Sequence, residues 1–113
     1  MTDLALIRRF GMVIGLRDDC EEAYVTLHAG SGVRDLLSSA NIRNFSIFLH
    51  RLPDGKLYEF GYYEYWGDNY KKDIDALSAH PRNIEWLAAC DPMQFPLPGK
   101  TGWTEMKQVF YHQ

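Results

Sequence analysis

The chain has 113 residues, enough for one domain with one core and too few for two independent cores. Hydrophobic residues make up 46% and charged residues 24%, close to the globular norm, which excludes wholesale disorder. A formal net charge of −3 supplies no basic field to hold nucleic acid or an anionic lipid surface.

Seven tyrosines, six phenylalanines and three tryptophans bring the aromatic share to 14%, a load suited to sugar binding or a subunit interface. Cys20 and Cys90 have neither metal-ligand nor disulfide-framework spacing, so both read as small core residues and no metal is expected. The N-terminus is acidic first and basic later, the reverse of a secretory signal. No apolar run approaches the roughly 18 residues that span a membrane. A cytoplasmic setting with reduced thiols is expected, with no membrane or nucleic-acid partner.

A first strand is predicted over Arg9–Leu16, where Phe10, Met12, Ile14 and Leu16 alternate with Gly11, Val13 and Gly15. Asp18, Asp19, Glu21 and Glu22 mark a helix start, since carboxylates accept orphan N–H bonds and favour the positive end of the helix dipole. Cys20, Ala23, Tyr24, Leu27 and His28 recur at three and four as an inward stripe. Gly30 and Gly32 interrupt it; Val33, Leu36, Leu37 and Ala40 resume the period. Strands over Asn44–Arg51 and Lys56–Trp66 follow, joined by Pro53-Asp54-Gly55, in which proline presets φ and glycine accepts φ > 0. Phe45, Ile47 and Leu49 share one face of the first. Tyr70–Ala79 reads as a helix anchored by Ile74 and Leu77, and Pro81 opens a short one with Ile84, Leu87 and Ala88 inward. Pro92, Pro96 and Pro98, with Gly99 and Gly102, make Asp91–Trp103 an irregular loop. Glu105–Tyr111 alternates as a last strand.

The order is β-α-β-β-α-β, a ferredoxin-like α+β unit in a single domain over residues 1–113. An antiparallel sheet of this kind has one face under helices and one open to water. Here both faces read as apolar, with Phe60 and Tyr62 opposed to Leu57 and Tyr63, and Phe110 opposed to Val109 and Tyr111. A monomer would expose a large aromatic patch, so a homodimer is expected with the open faces together.

Tyr24 and His28 lie one helical turn apart and project on the same face. A histidine there can exchange a proton near neutrality without a metal, although such a pair is more often a packed polar ring with a satisfied partner. His50, His80 and His112 read as surface or capping residues. Gly30-Ser31-Gly32 follows a helix and lacks a Gly-Lys-Ser/Thr, so it is neither a nucleophile elbow nor a phosphate loop. Trp86 could stack on a pyranose with Glu85 beside it to bind hydroxyls; the ordinary alternative is that Trp86 fills core. Glu59 and Glu64 differ by five along one strand and point to opposite faces, which argues against a shared acid/base site.

Arg9-Phe10-Gly11-Met12, Tyr24-Val25-Thr26-Leu27-His28, Asn44-Phe45-Ser46-Ile47-Phe48-Leu49, Trp86 and the terminal Glu105–Tyr111 together resemble the L-rhamnose mutarotase family over nearly the whole chain. The resemblance implies a small cytoplasmic homodimer of the dimeric α/β-barrel kind that interconverts the α and β anomers of L-rhamnose without a cofactor. It implies His28 as catalytic acid and Tyr24 as a substrate-binding tyrosine. Phe45 falls where the family commonly has a second substrate-binding tyrosine, and Glu85-Trp86 where it has a tryptophan pair. Losing a phenol and gaining a carboxylate alters hydrogen bonding around the ring hydroxyls, so L-fucose, another 6-deoxy-L-hexose, competes with L-rhamnose as substrate.

Mutarotation requires a proton delivered to the ring oxygen and one removed from the anomeric hydroxyl. His28 suffices for one; Tyr24, Glu85 or a bound water could supply the other. The same fold also carries a non-catalytic binding or stress-response module and cofactor-free monooxygenases of aromatic substrates as alternatives.

Overall fold

The computed structural model describes residues 7–113, so Asp3, the acidic part of the N-terminal charge pattern, lies outside the described residues. The alternating segment Arg8–Leu16 forms strand β1, which pairs antiparallel over its full length with β3, Leu57–Tyr65. β3 pairs on its other side with β2, Ile42–Arg51. The turn between them forms where Pro53-Asp54-Gly55 predicts it. Gly55 takes φ 82°, and the Asp54 carboxylate accepts hydrogen bonds from the Lys56 N–H and the Tyr58 hydroxyl.

Two short strands, β4 (Gln94–Phe95) and β5 (Thr104–Met106), add antiparallel to the free edge of β1. Helices α1 (Glu21–Ala29) and α2 (Arg34–Ser39) connect β1 to β2; α3 (Tyr70–Ala79) and α4 (Pro81–Cys90) connect β3 to β4. The result is the ferredoxin-like split unit read from the element order. Local chemistry sets the helix ends. The Asn69 side chain accepts from the Lys72 N–H and starts α3, while Pro81 and the His80 ring, accepting from the Arg82 N–H, start α4. Asn41, in the left-handed region at φ 63°, closes α2.

Helices and sheet enclose two apolar clusters on one sheet face. Phe10, Ala40, Ile42 and Tyr65 gather Leu37, Tyr63, Tyr70, Ile74 and Leu77 around them. Leu16, Tyr24 and Leu57 gather Cys20, Leu49 and Met93. An irregularity between Arg43 and Ser46, with Asn44 at φ 54°, lets Ile42 and Phe45 reach the same face although their numbers differ in parity. Phe45 thereby stacks on Tyr63 at 5.3 Å.

Three expectations change. The inner face of α4 is formed by Asn83, Trp86 and Cys90; the expected Ile84, Leu87 and Ala88 are all exposed, the first two by 54% and 43%. Packing on the sheet selects the register that seats the indole. The last strand stops at Met106 instead of Tyr111, because the tail leaves the β1 ladder and Tyr111 turns back to Arg9, accepting its guanidinium hydrogen bond at 3.0 Å. The 91–103 segment is not wholly irregular. The Arg17 N–H bonds to the Met93 carbonyl at 2.8 Å, and Phe95 lies where a Cβ on Gly15 would stand, which holds β4 against β1.

Candidate active site

α1 presents Tyr24 and His28 toward α4 and the sheet. Tyr24 is 4% exposed and His28 half-buried. The His28 ring lies 4.1 Å from the Tyr24 ring, and its Nδ1–H donates to the Tyr24 backbone carbonyl at 2.8 Å. A carbonyl can only accept, so Nδ1 carries a hydrogen and Nε2 is the nitrogen left to exchange a proton.

Trp86 completes the wall. Its indole meets the His28 ring edge-on at 5.0 Å. The 30–33 turn makes room for it, because a Cβ on Gly32 would come within 3.0 Å of the indole. Arg82 ties the same turn to α4 by donating to the Gly32 carbonyl at 3.1 Å and, bidentately, to Asp35 at 2.7 and 3.1 Å. Arg34 donates to the His28 carbonyl at 2.9 Å and caps the end of α1.

Beneath Tyr24 the sheet contributes a group that pattern reading set aside. Glu59, on the helix face of β3, is 0% exposed. Its carboxylate is hydrogen-bonded to the Tyr24 hydroxyl and accepts from Gln94 Nε2 at 3.0 and 3.3 Å. The same Gln94 nitrogen donates to the Tyr24 oxygen at 3.3 Å. Burial raises the Glu59 carboxyl pKa, an effect partly offset by the Tyr24 and Gln94 hydrogen bonds. Burial also raises the Tyr24 phenol, reinforced by the hydrogen bond to Glu59, so it remains protonated. The Cys90 thiol is pushed up to about 11 by burial and by the Asp91 and Glu59 charges, which leaves it inert.

Of the residues expected at the site, His28, Tyr24 and Trp86 come together. Phe45 lies instead in a stack with Tyr63, which itself stacks on Phe10. Glu85 is exposed on the outer side of α4, because the register that turns Trp86 inward turns its neighbour away. Glu64 points to the opposite sheet face from Glu59, as strand alternation requires. There, burial alone would raise its carboxyl, but hydrogen bonds from Trp66, Tyr62 and Asn44 prevail and hold it low.

Glu59, Gln94 and Trp103 are the additions. Trp103 reaches the helix face, where it would touch a Cβ on Gly61. The 91–103 segment therefore meets that face twice, through Gln94 and Trp103. Among the described residues no three His, Cys, Asp or Glu side chains are placed to hold a metal ion. A hollow of about 510 Å³ lined by Leu16, Arg17, Asp18, Asp19, Lys56, Leu57 and Phe95 is an open surface feature that includes none of the His28 group.

A proton-exchanging imidazole beside a phenol and an indole wall suits acid/base chemistry on a hydroxylated ring. A model of the L-rhamnose mutarotase family matches residues 9–112. The chain belongs to the L-rhamnose mutarotase family. It is thus an enzyme of the isomerase class, a sugar mutarotase. Among solved structures it is similar to an L-rhamnose mutarotase from Formosa agariphila, with 17% identity, a TM-score of 0.70, and coverage of 94% of this chain and 99% of that one. It is also similar in fold to a candidate antibiotic biosynthesis monooxygenase from Nitrosomonas europaea, with 11% identity, a TM-score of 0.59, and coverage of 92% and 91%. No curated protein matches it significantly. At these identities the two structures speak for the fold alone.

Proposed function

We propose that the enzyme interconverts the α and β anomers of a 6-deoxy-L-hexose, L-rhamnose or L-fucose, by acid/base ring opening and closure at His28. The observation that carries this reading is the Nδ1–H bond to the Tyr24 carbonyl, which leaves Nε2 to exchange protons beside Trp86. His28 as imidazolium gives the Nε2 proton to the ring oxygen. The C1–O5 bond breaks as the anomeric hydroxyl loses its proton and becomes the aldehyde carbonyl. Rotation about C1–C2 and closure on the other face, with the protons returned, yields the second anomer. Trp86 offers an apolar face to the sugar and Tyr24 a polar oxygen. Neither metal nor cofactor enters the reaction.

The working unit is a homodimer. Phe48, Val109 and Phe110 are 67%, 86% and 80% exposed, a large apolar area for one chain to leave in water.

Saturation-transfer NMR between the two anomeric protons, with and without protein, tests the activity. Faster exchange for L-rhamnose or L-fucose than for fully hydroxylated hexoses is the expected result. No acceleration for any sugar, with turnover of an aromatic substrate and oxygen, would replace this reading by the monooxygenase one.

A further inference from the structure

The sugar needs a second proton-handling group besides His28, and the sheet beneath the site holds a fully buried carboxylate. A glutamate with no exposed surface is costly unless paired, and among the described residues no cation pairs with Glu59. Its neighbours are hydrogen-bonding groups only: the Tyr24 hydroxyl from α1 and the Gln94 amide from β4. The titratable groups around it are Tyr24 and, from α4, Cys90. The flanking strands set Ile14 and Leu49 opposite it.

We infer that Glu59 is the resting place of the second proton and acts through Tyr24. Fully buried, Glu59 cannot meet the sugar; Tyr24 touches both Glu59 and the His28 ring. The Tyr24 hydroxyl gives its hydrogen to the Glu59 carboxylate and accepts from Gln94 at 3.3 Å, which leaves its oxygen one acceptor position for the anomeric hydroxyl. The anomeric O–H therefore passes its proton to the Tyr24 oxygen while Tyr24 passes its own to Glu59. In the same step His28 protonates the ring oxygen. The open-chain aldehyde then coexists with a neutral imidazole and a neutral Glu59 carboxyl, and ring closure reverses both transfers. No net charge is created, and the imidazolium–carboxylate pair is restored. Gln94, donating to both Tyr24 and Glu59, ties the two together. The raised Glu59 pKa fits a group that must accept a proton near neutrality.

This inference rests on the mutarotase reading above, and Glu59 is a positioning residue in it because it works through Tyr24. The experiment is the pH profile of kcat and KM for anomer exchange in wild type, Glu59→Gln, Glu59→Asp and Tyr24→Phe, with thermal midpoints. Wild type should show an acid limb, where Glu59 becomes protonated. Glu59→Gln should lower kcat by roughly 10-fold to 10²-fold, leave KM within about threefold, and abolish the acid limb. Glu59→Asp should restore the limb in part. Tyr24→Phe keeps the carboxylate but breaks the path, so it should lose the same limb even if Glu59→Gln folds poorly. A folded Glu59→Gln, or a Tyr24→Phe, with wild-type kcat and an intact acid limb overturns the inference alone. A wild-type enzyme that accelerates no anomer exchange overturns the mutarotase reading, and this one with it.

Discussion

The Nδ1 atom of His28 lies 2.8 Å from the backbone carbonyl oxygen of Tyr24, one helical turn earlier. A side chain bonding back to its own helix is held at a fixed angle, and here that angle aims the ring at Trp86. The carbonyl keeps Nδ1 protonated in both charge states of the imidazole, so all proton traffic is confined to Nε2.

His28→Ala should therefore lower the anomer exchange rate by roughly 10²-fold or more, the range of a lost general acid. The half-buried ring contributes little to the core, so the thermal midpoint should stay near wild type. Exchange rate and midpoint measured on one preparation separate catalysis from packing. A folded variant with undiminished exchange would remove His28 from the mechanism.

Gly32→Ala probes the indole wall. The added Cβ would sit 3.0 Å from the Trp86 ring, and the residue has φ +52°, where a side chain costs about 1–2 kcal/mol. Trp86 must shift, and with it the apolar face offered to the sugar. KM for the sugar should rise severalfold while kcat falls less, since the proton-transfer groups are untouched. An unchanged KM in the folded variant would show that Trp86 does not meet the substrate.

Most of the fold was legible because its signals are local. Alternation in Arg8–Leu16 and Leu57–Tyr65, the Pro53-Asp54-Gly55 turn and the Pro81 helix start each depend on a few neighbouring residues. The contact between His28 and Tyr24 follows from helical spacing, which is also local. What escaped depends on tertiary register. Asn83, Trp86 and Cys90 face inward on α4, whereas hydrophobicity favoured Ile84 and Leu87. Strand alternation relates Glu59 only to Glu64, whereas its partners Tyr24 and Gln94 arrive from distant segments. A charged residue among alternating aromatics was the available signal. The tail beyond Met106 has a strand's alternation but no ladder to pair with.

Glu59 also sets a stability trend. Its folded pKa is raised above the ordinary 4.5, so the folded state binds the proton more tightly than the unfolded chain does. That contribution is complete below pH 4.5 and is lost as pH rises through the raised folded value. Above that window the buried carboxylate weakens the fold. Glu59→Gln, which is neutral at all pH, should thus raise the thermal midpoint at pH 7 relative to wild type and flatten its dependence on pH across the window. Midpoints measured from pH 4 to pH 8 check this; a Glu59→Gln variant with the wild-type slope would mean that another group titrates.

Phe48 on β2 and Phe110 in the tail are 67% and 80% exposed, and each would be buried if a second copy covered them. A two-fold interface uses the same patch on both subunits, so every substitution acts twice. Burying one phenylalanine is worth about 1.5–3 kcal/mol, and losing two of them at an interface weakens association by about 3–6 kcal/mol, or roughly 10²-fold to 10⁴-fold in Kd. Introducing a carboxylate adds a desolvation cost in the same direction. Wild type should sediment as a dimer at micromolar concentration, and Phe110→Glu and Phe48→Glu should each shift it toward monomer with secondary structure retained. Exchange activity measured on the monomeric variants then tells whether each chain carries a complete site. A wild-type chain that is monomeric at these concentrations would end the dimer reading and leave the apolar tail to another partner.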